Sequence, residues 1–178
     1  GGFLNDPKVK IPFPEDLVKV KNTLVTIGLE SQVEQVVNSL NAAAEDAVIE
    51  AKPLFVNAIK EMTIADAKEI LFGTDTAATS YLKSKTRLGL EAAFKPKISA
   101  SLDKVNATKY WSDVIGTYNK IPLVNKVNED LPAYVTDKAI DGLFLQIAQE
   151  EAAIRENPLE RTTDILKKVF GYADTEQQ

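Results

Sequence analysis

The stretch Ser31-Gln32-Val33-Glu34-Gln35-Val36-Val37-Asn38-Ser39-Leu40-Asn41-Ala42-Ala43-Ala44-Glu45-Asp46-Ala47-Val48-Ile49-Glu50-Ala51 decides the fold class. Val33, Val36, Val37, Leu40, Ala44, Ala47, Val48 and Ala51 recur at intervals of three and four, which puts one apolar stripe on a long helix. Ser31 and Glu34 have the spacing of a capping box, in which the serine accepts from the Glu34 amide and the carboxylate reaches back. Pro53 then has to kink or divide this helix, because it lacks an amide and its ring crowds the preceding turn. Leu54, Phe55, Ala58 and Ile59 resume the face.

Upstream, Val9, Ile11 and Phe13 alternate with Lys8, Lys10 and Pro12. This reads as an extended arm over residues 1–13, laid on the body by its apolar side. A helix is expected from Pro14 to Ile27, with Leu17, Val20, Leu24 and Ile27 buried and Gly28 at its C′ position. Downstream, Thr63-Ile64-Ala65-Asp66 starts a short helix that stops at Gly73. Thr74 and Asp75 offer a cap for a long helix from about Thr76 to Val105, with Pro96 inside it. A shorter helix carries Tyr110, Trp111, Val114 and Ile115 and ends near Gly116. Asn119 to Pro132 reads as a loop. After Thr136 comes a helix to Glu156, and Asn157-Pro158-Leu159-Glu160 opens a last one that closes at Gly171. Residues 172–178 read as a polar, mobile tail. The expected fold is all-α: one helical domain over 14–171, a bundle of six to eight helices, two long ones kinked at prolines. Lys52-Pro53 and Lys95-Pro96 make a faint internal echo, for which coincidence is preferred over duplication.

Composition removes many functions. The 178 residues include no Cys and no His, so there is no thiolate nucleophile, no imidazole base, no Ser-His-Asp triad and no Cys-held zinc or iron–sulfur cluster. Gly-rich phosphate loops and nucleophile elbows are absent. Neither a cofactor nor a metal is expected. A net charge of −5 argues against nucleic acid as a partner. Apolar runs of a few residues rule out a transmembrane segment of the usual length. The opening Gly1-Gly2 reads as a processing boundary, with room for a signal peptide or leading helix ahead of it.

Each remaining feature has a functional and a structural reading. Asp137 and Asp141 share a helix face, with Glu150-Glu151 further along; a solvated face is preferred over a cation site. Only three of the 21 basic residues are Arg: Arg87, Arg155 and Arg161. Their planar forks suit anion recognition, or else pairing with carboxylates such as Asp75, Glu151 or Asp164 that clamps helix ends together, the preferred reading. From Lys83 to Lys109 seven basic residues face two acidic ones, while residues 30 to 50 hold five acidic residues and no basic one. That asymmetry orients a partner or keeps the helix soluble, and solubility is preferred. Tyr81, Tyr110, Trp111, Tyr118 and Tyr134 suit a pocket lining, with core packing preferred. The candidate ligand-binding residues are Arg87, Arg155, Arg161, Tyr81 and Tyr118.

Asp66-Ala67-Lys68-Glu69-Ile70-Leu71-Phe72-Gly73, with Asp75 and Ala77-Ala78-Thr79-Ser80-Tyr81, resembles the signature of a bacterial family, domain of unknown function 4197. Glu150-Glu151-Ala152-Ala153-Ile154-Arg155-Glu156-Asn157-Pro158 and Arg161-Thr162-Thr163-Asp164-Ile165-Leu166-Lys167-Lys168-Val169-Phe170-Gly171 are similar to its end. Phe3-Leu4-Asn5-Asp6-Pro7 and Lys10-Ile11-Pro12-Phe13-Pro14 are similar to its start, so the likeness spans nearly the whole chain. The resemblance implies an all-helical bacterial protein made with an export signal, hence a periplasmic or cell-envelope location. It carries no activity and no site residues across. The expectation is a non-catalytic exported binding protein for a partner protein or a small apolar or anionic ligand. The alternatives are a carboxylate-based enzyme, with or without a divalent cation, and a structural or assembly protein of the envelope.

Overall fold

The helix at the centre of the sequence argument forms, with ends set by its neighbours. A computed structural model describes residues 2–14, 18–26, 28–120, 122–123, 126 and 130–156. Among them are eight α-helices and no strand: α1 Gly2–Asn5, α2 Val18–Thr26, α3 Glu30–Val48, α4 Ala51–Lys60, α5 Ile64–Leu71, α6 Ala77–Lys104, α7 Ala107–Asn119 and α8 Leu131–Glu156. The expected last helix, Arg161 and the tail lie outside the described residues, as do residues 15–17 of the helix expected from Pro14; Pro14 itself is not helical.

The end of α2 explains the start of α3. Gly28 takes φ +89, its amide bonds to the Val25 carbonyl, and the Leu29 amide bonds to the Leu24 carbonyl. This is a Schellman closure with glycine at C′, as the sequence indicates. Leu29 is at once the N-cap of α3, accepting from the Val33 amide, so no spare residue separates the helices. The expected capping box therefore does not form: Ser31 falls inside the first turn and donates to Gln32 Oε1 instead.

Pro53 divides rather than kinks the long pattern. The break falls at Ile49–Glu50, and Pro53 sits in the first turn of α4, where a missing amide leaves no helical bond unmade. Pro96 lies in the interior of α6, which runs unbroken through it. The two Lys-Pro pairs thus occupy different helical positions. The expected α7 stop at Gly116 is overrun to Asn119. The expected α8 start after Thr136 moves forward to Leu131: Asp130 Oδ1 accepts from the Ala133 amide, and Pro132 stands in the first turn.

The chain divides into two compact units, one of Gly1–Ala51 with Leu90–Gly142, the other of Lys52–Gly89 with Leu143–Gln178. In the first, α1 and α2 both pack on α3. Its core holds Leu40, Ala44 and Ala47 of α3, Leu90, Phe94, Ile98 and Leu102 at every fourth position of α6, Trp111 and Ile115 of α7, and Val135, Ala139 and Ile140 of α8. The N-terminal arm begins not as extended chain but as the single turn α1, followed by a turn in which the Asp6 carbonyl accepts from the Val9 and Lys10 amides. Beyond it the expected alternation holds, with Val9, Ile11 and Phe13 buried and Lys8, Lys10 and Pro12 exposed.

Asn41 fixes this arm. The Ile11 amide donates to Asn41 Oδ1 (2.8 Å), while Asn41 Nδ2 donates to the Ile11 carbonyl (2.9 Å) and the Val37 carbonyl (2.8 Å). A wholly buried carboxamide thus satisfies both polar groups of a residue that has no strand partner. Phe3 N–H donates to Glu45 Oε1, and the Tyr134 hydroxyl to the Pro12 carbonyl. Gly142 lets the arm approach α8: a Cβ there would stand 2.9 Å from the Phe3 ring and 3.3 Å from Val9 Cβ. The charge asymmetry finds internal partners in this unit. Lys97 Nζ meets Glu50 at 3.5 Å, Lys95 Nζ meets Asp130 at 3.0 Å, and Ser101 donates to Asp46.

In the second unit, α5 starts as expected, with a complete capping box between Thr63 and Asp66. The Thr63 amide and hydroxyl hold the Asp66 carboxyl below its ordinary value. No residue of α5 is buried. Phe55 of α4 and Phe144 of α8 meet as tilted rings 6.0 Å apart.

Candidate functional site

The stripes of α3 and α7 that make the first unit do not close completely on each other. Along α7, Ala107, Tyr110, Trp111 and Val114 follow the i, i+3, i+4, i+7 rule. Along α3, Gln32, Val33, Gln35, Val36, Asn38 and Ser39 cover more than one face width. With Phe13 of the arm, Leu24 of α2, Leu29 and Val105, they line a cavity of about 720 Å³. This is within the range of small-molecule sites, about 300–1,000 Å³. Phe13, Val33, Ala107 and Trp111 are buried, whereas Val105 and Tyr110 are exposed, which marks the open side.

Trp111, the chain's single tryptophan, is 4 % exposed, and its ring lies 5.5 Å from that of Phe13 in a tilted arrangement. A tilted pair at this separation suits the ring quadrupoles and adds to their area burial. Because Asn41 pins Ile11 two residues away, the arm holds Phe13 against the indole. Trp111 Nε1 is buried and meets no acceptor among the described residues. The four polar residues of the lining, Gln32, Gln35, Asn38 and Ser39, are neutral, and no charged residue joins them.

The residues singled out from sequence are differently placed. Arg155 carries out the helix-end clamping considered for it. Its Nε donates to Glu151 Oε2 (3.0 Å), its Nη2 lies 2.9 Å from the same oxygen, and Nη2 and Nη1 donate to the Ile70 (2.6 Å) and Leu71 (3.4 Å) carbonyls at the end of α5. Glu151 in turn accepts from the Ala78 and Thr79 amides (each 2.8 Å) and the Thr79 hydroxyl (2.7 Å). The side-chain cap expected from Thr74 and Asp75 is supplied instead from α8, by a carboxylate at the positive end of the α6 dipole. Burial pushes the Glu151 carboxyl up, but the bonds from Thr79, Ala78 and Arg155 outweigh it, and its pKa lies below the ordinary glutamate value.

Tyr81 donates its hydroxyl to the Ala58 carbonyl (2.9 Å), with Lys85 Nζ 5.9 Å from its ring centroid. Arg87 is half-buried on α6. These two and Arg155 belong to the second unit, whereas Tyr118 is half-buried on α7 in the first. Of the aromatic residues considered for a pocket, Tyr110 and Trp111 line the cavity. The remaining lining residues were not distinguishable in sequence from core, since periodicity marks an apolar face and not whether a neighbour fills it. Asp137, Asp141 and Glu150 are exposed, and among the described residues no three carboxylates gather as a metal-ligand set.

A family model described as "Protein of unknown function (DUF4197)" matches residues 1–171. No curated protein and no solved structure matches the chain.

Proposed function

The chain belongs to the DUF4197 family, whose description assigns no activity, and from its geometry we propose that it is a non-catalytic binding protein that takes a small apolar ligand in the cavity of its first unit. The observation that carries this reading is the lining itself: an opening of about 720 Å³ with ten apolar or aromatic side chains and no charge. A core of close-packed side chains leaves few voids larger than a water molecule, so a cavity of this size is open to an occupant. Removing an apolar ligand from water into it is favourable by about 25 cal/mol for each Å² buried. The lining holds no carboxylate or amine to activate a nucleophile, and its Ser39 hydroxyl is bonded to the Gln35 carbonyl, which supports holding over transformation. Export to the periplasm or envelope is part of the proposal and rests on the family resemblance. Among the described residues no helix is long and apolar enough to cross a membrane.

The test is titration with the neutral, environment-sensitive dye N-phenylnaphthylamine, read by energy transfer from Trp111. Saturable binding at one dye per chain, abolished by Val36→Lys in a variant with an unchanged circular dichroism spectrum, is the expected result. Unsaturable binding, or binding indifferent to that substitution, would overturn the reading.

A further inference from the structure

Resting on that cavity reading, we infer that Asn41, which lies outside the cavity, is a positioning residue for the ligand. Through the amino-terminal arm it sets Phe13 as one wall, so that arm docking and ligand binding support each other. Phe13 is the one lining residue that the arm supplies; the others stand on or beside α2, α3, α6 and α7. Residues 10–14 belong to no helix, so the place of Phe13 depends on what holds the chain next to it. Two side chains do so. Asn41 bonds both the amide and the carbonyl of Ile11 (2.8 and 2.9 Å), and the Tyr134 hydroxyl donates to the Pro12 carbonyl (2.9 Å). Pro12 and Pro14 flank Phe13 with fixed φ, so both anchors reach the ring through a short, stiff segment.

Neither anchor lines the cavity, and Asn41 is wholly buried. Their effect on a ligand therefore passes through Phe13. An arm that lifts takes Phe13 from the Trp111 ring 5.5 Å away and removes apolar surface on which a ligand gains its burial. A ligand touching Phe13 thus binds the docked arm more tightly than the lifted one. Linkage then requires that the ligand hold the arm down by the same factor.

The experiment titrates N-phenylnaphthylamine, read by its own emission, into the full chain and its variants. Phe13→Ala is expected to weaken binding about tenfold, the worth of one aromatic wall. Asn41→Ala should approach that loss, and Tyr134→Phe, a milder loosening of the same segment, should cost about two- to threefold. Neither should add to the loss in a Phe13→Ala background, whereas general damage to the fold would add there too. In the other direction, saturating dye should slow hydrogen exchange of the Ile11 amide about tenfold and leave the Phe72 amide of the second unit unchanged. The inference is overturned, with the cavity reading standing, by unchanged affinity in Asn41→Ala and Tyr134→Phe. Anchor effects that persist without Phe13, or Ile11 exchange indifferent to the dye, overturn it equally. No saturable dye binding by the unaltered protein overturns both readings.

Discussion

The two units are held by different physics. The first contains twenty-two of the twenty-four buried apolar residues among those described, and its buried polar anchor, Asn41, is neutral. The second contributes only Ala58 and Phe144 to that set, and its described part is joined through an ionised pair, Glu151 and Arg155, that ties the start of α6 to the end of α5. Hydrophobic burial is non-directional and indifferent to pH, so it can leave a cavity in one unit without loss of the fold. An ion pair removed from water is tolerated only while every partner is present. One unit should therefore answer to volume, the other to charge.

Removing the acid should have the largest effect. Glu151→Ala takes the carboxylate from a half-buried Arg155 that keeps only its carbonyl contacts and uncaps two amides, and a loss of about 3 kcal/mol is expected by urea unfolding. If Glu151→Ala costs less than a helix cap, charge does not hold the second unit and the contrast fails. The pH dependence follows with definite sign. Because the folded Glu151 pKa is lowered, its stabilisation is full above the ordinary glutamate value and is lost as pH falls through the lowered one. Hydrogen exchange under acid should report α5 and the first turn of α6 opening before α3, and Glu151→Gln should flatten that difference.

Asn41→Ala attacks the neutral anchor. It orphans the amide and carbonyl of Ile11, and a cost of about 2–3 kcal/mol, insensitive to pH between 4 and 8 within roughly a few tenths, is expected from thermal melts. A steep acid dependence of this variant would erase the distinction between the units. Gly142→Ala tests volume instead: the new methyl meets Phe3 and Val9, and about 1–3 kcal/mol should be lost with the far-ultraviolet spectrum unchanged. The smallest effect belongs to Thr63→Ala, which opens the α5 capping box for about 1 kcal/mol.

Much of the fold was legible because its signals are local. Valine and alanine spacing gives α3, Gly28 gives the Schellman turn, and Thr63 with Asp66 gives the start of α5. Signals failed where a competing local bond or a distant residue decided. Ser31 and Glu34 have the capping-box spacing, but Leu29 already begins the helix. The acid that caps α6 stands 72 residues from Thr79, and Asn41 reads as any polar residue on a helix until Ile11 arrives 30 residues away. The candidate site was less legible still. Of five residues expected to bind a ligand, Tyr81 and Arg155 are engaged in tying elements of the second unit together. The cavity depends on how far apart two apolar stripes come to rest, which no spacing along one strip of sequence encodes.

Helix α5 has a consequence of its own. Eight residues with no buried side chain, capped by Thr63 at one end and gripped through two carbonyls by Arg155 at the other, form a bridge suspended from its abutments. With only Asp66, Ile70 and Leu71 half-buried, little packing resists opening once either support gives way. Trypsin should therefore nick the folded protein at Lys68 sooner than at any lysine of α6, and the rate of that cut would serve as a gauge of whether Arg155 is still holding.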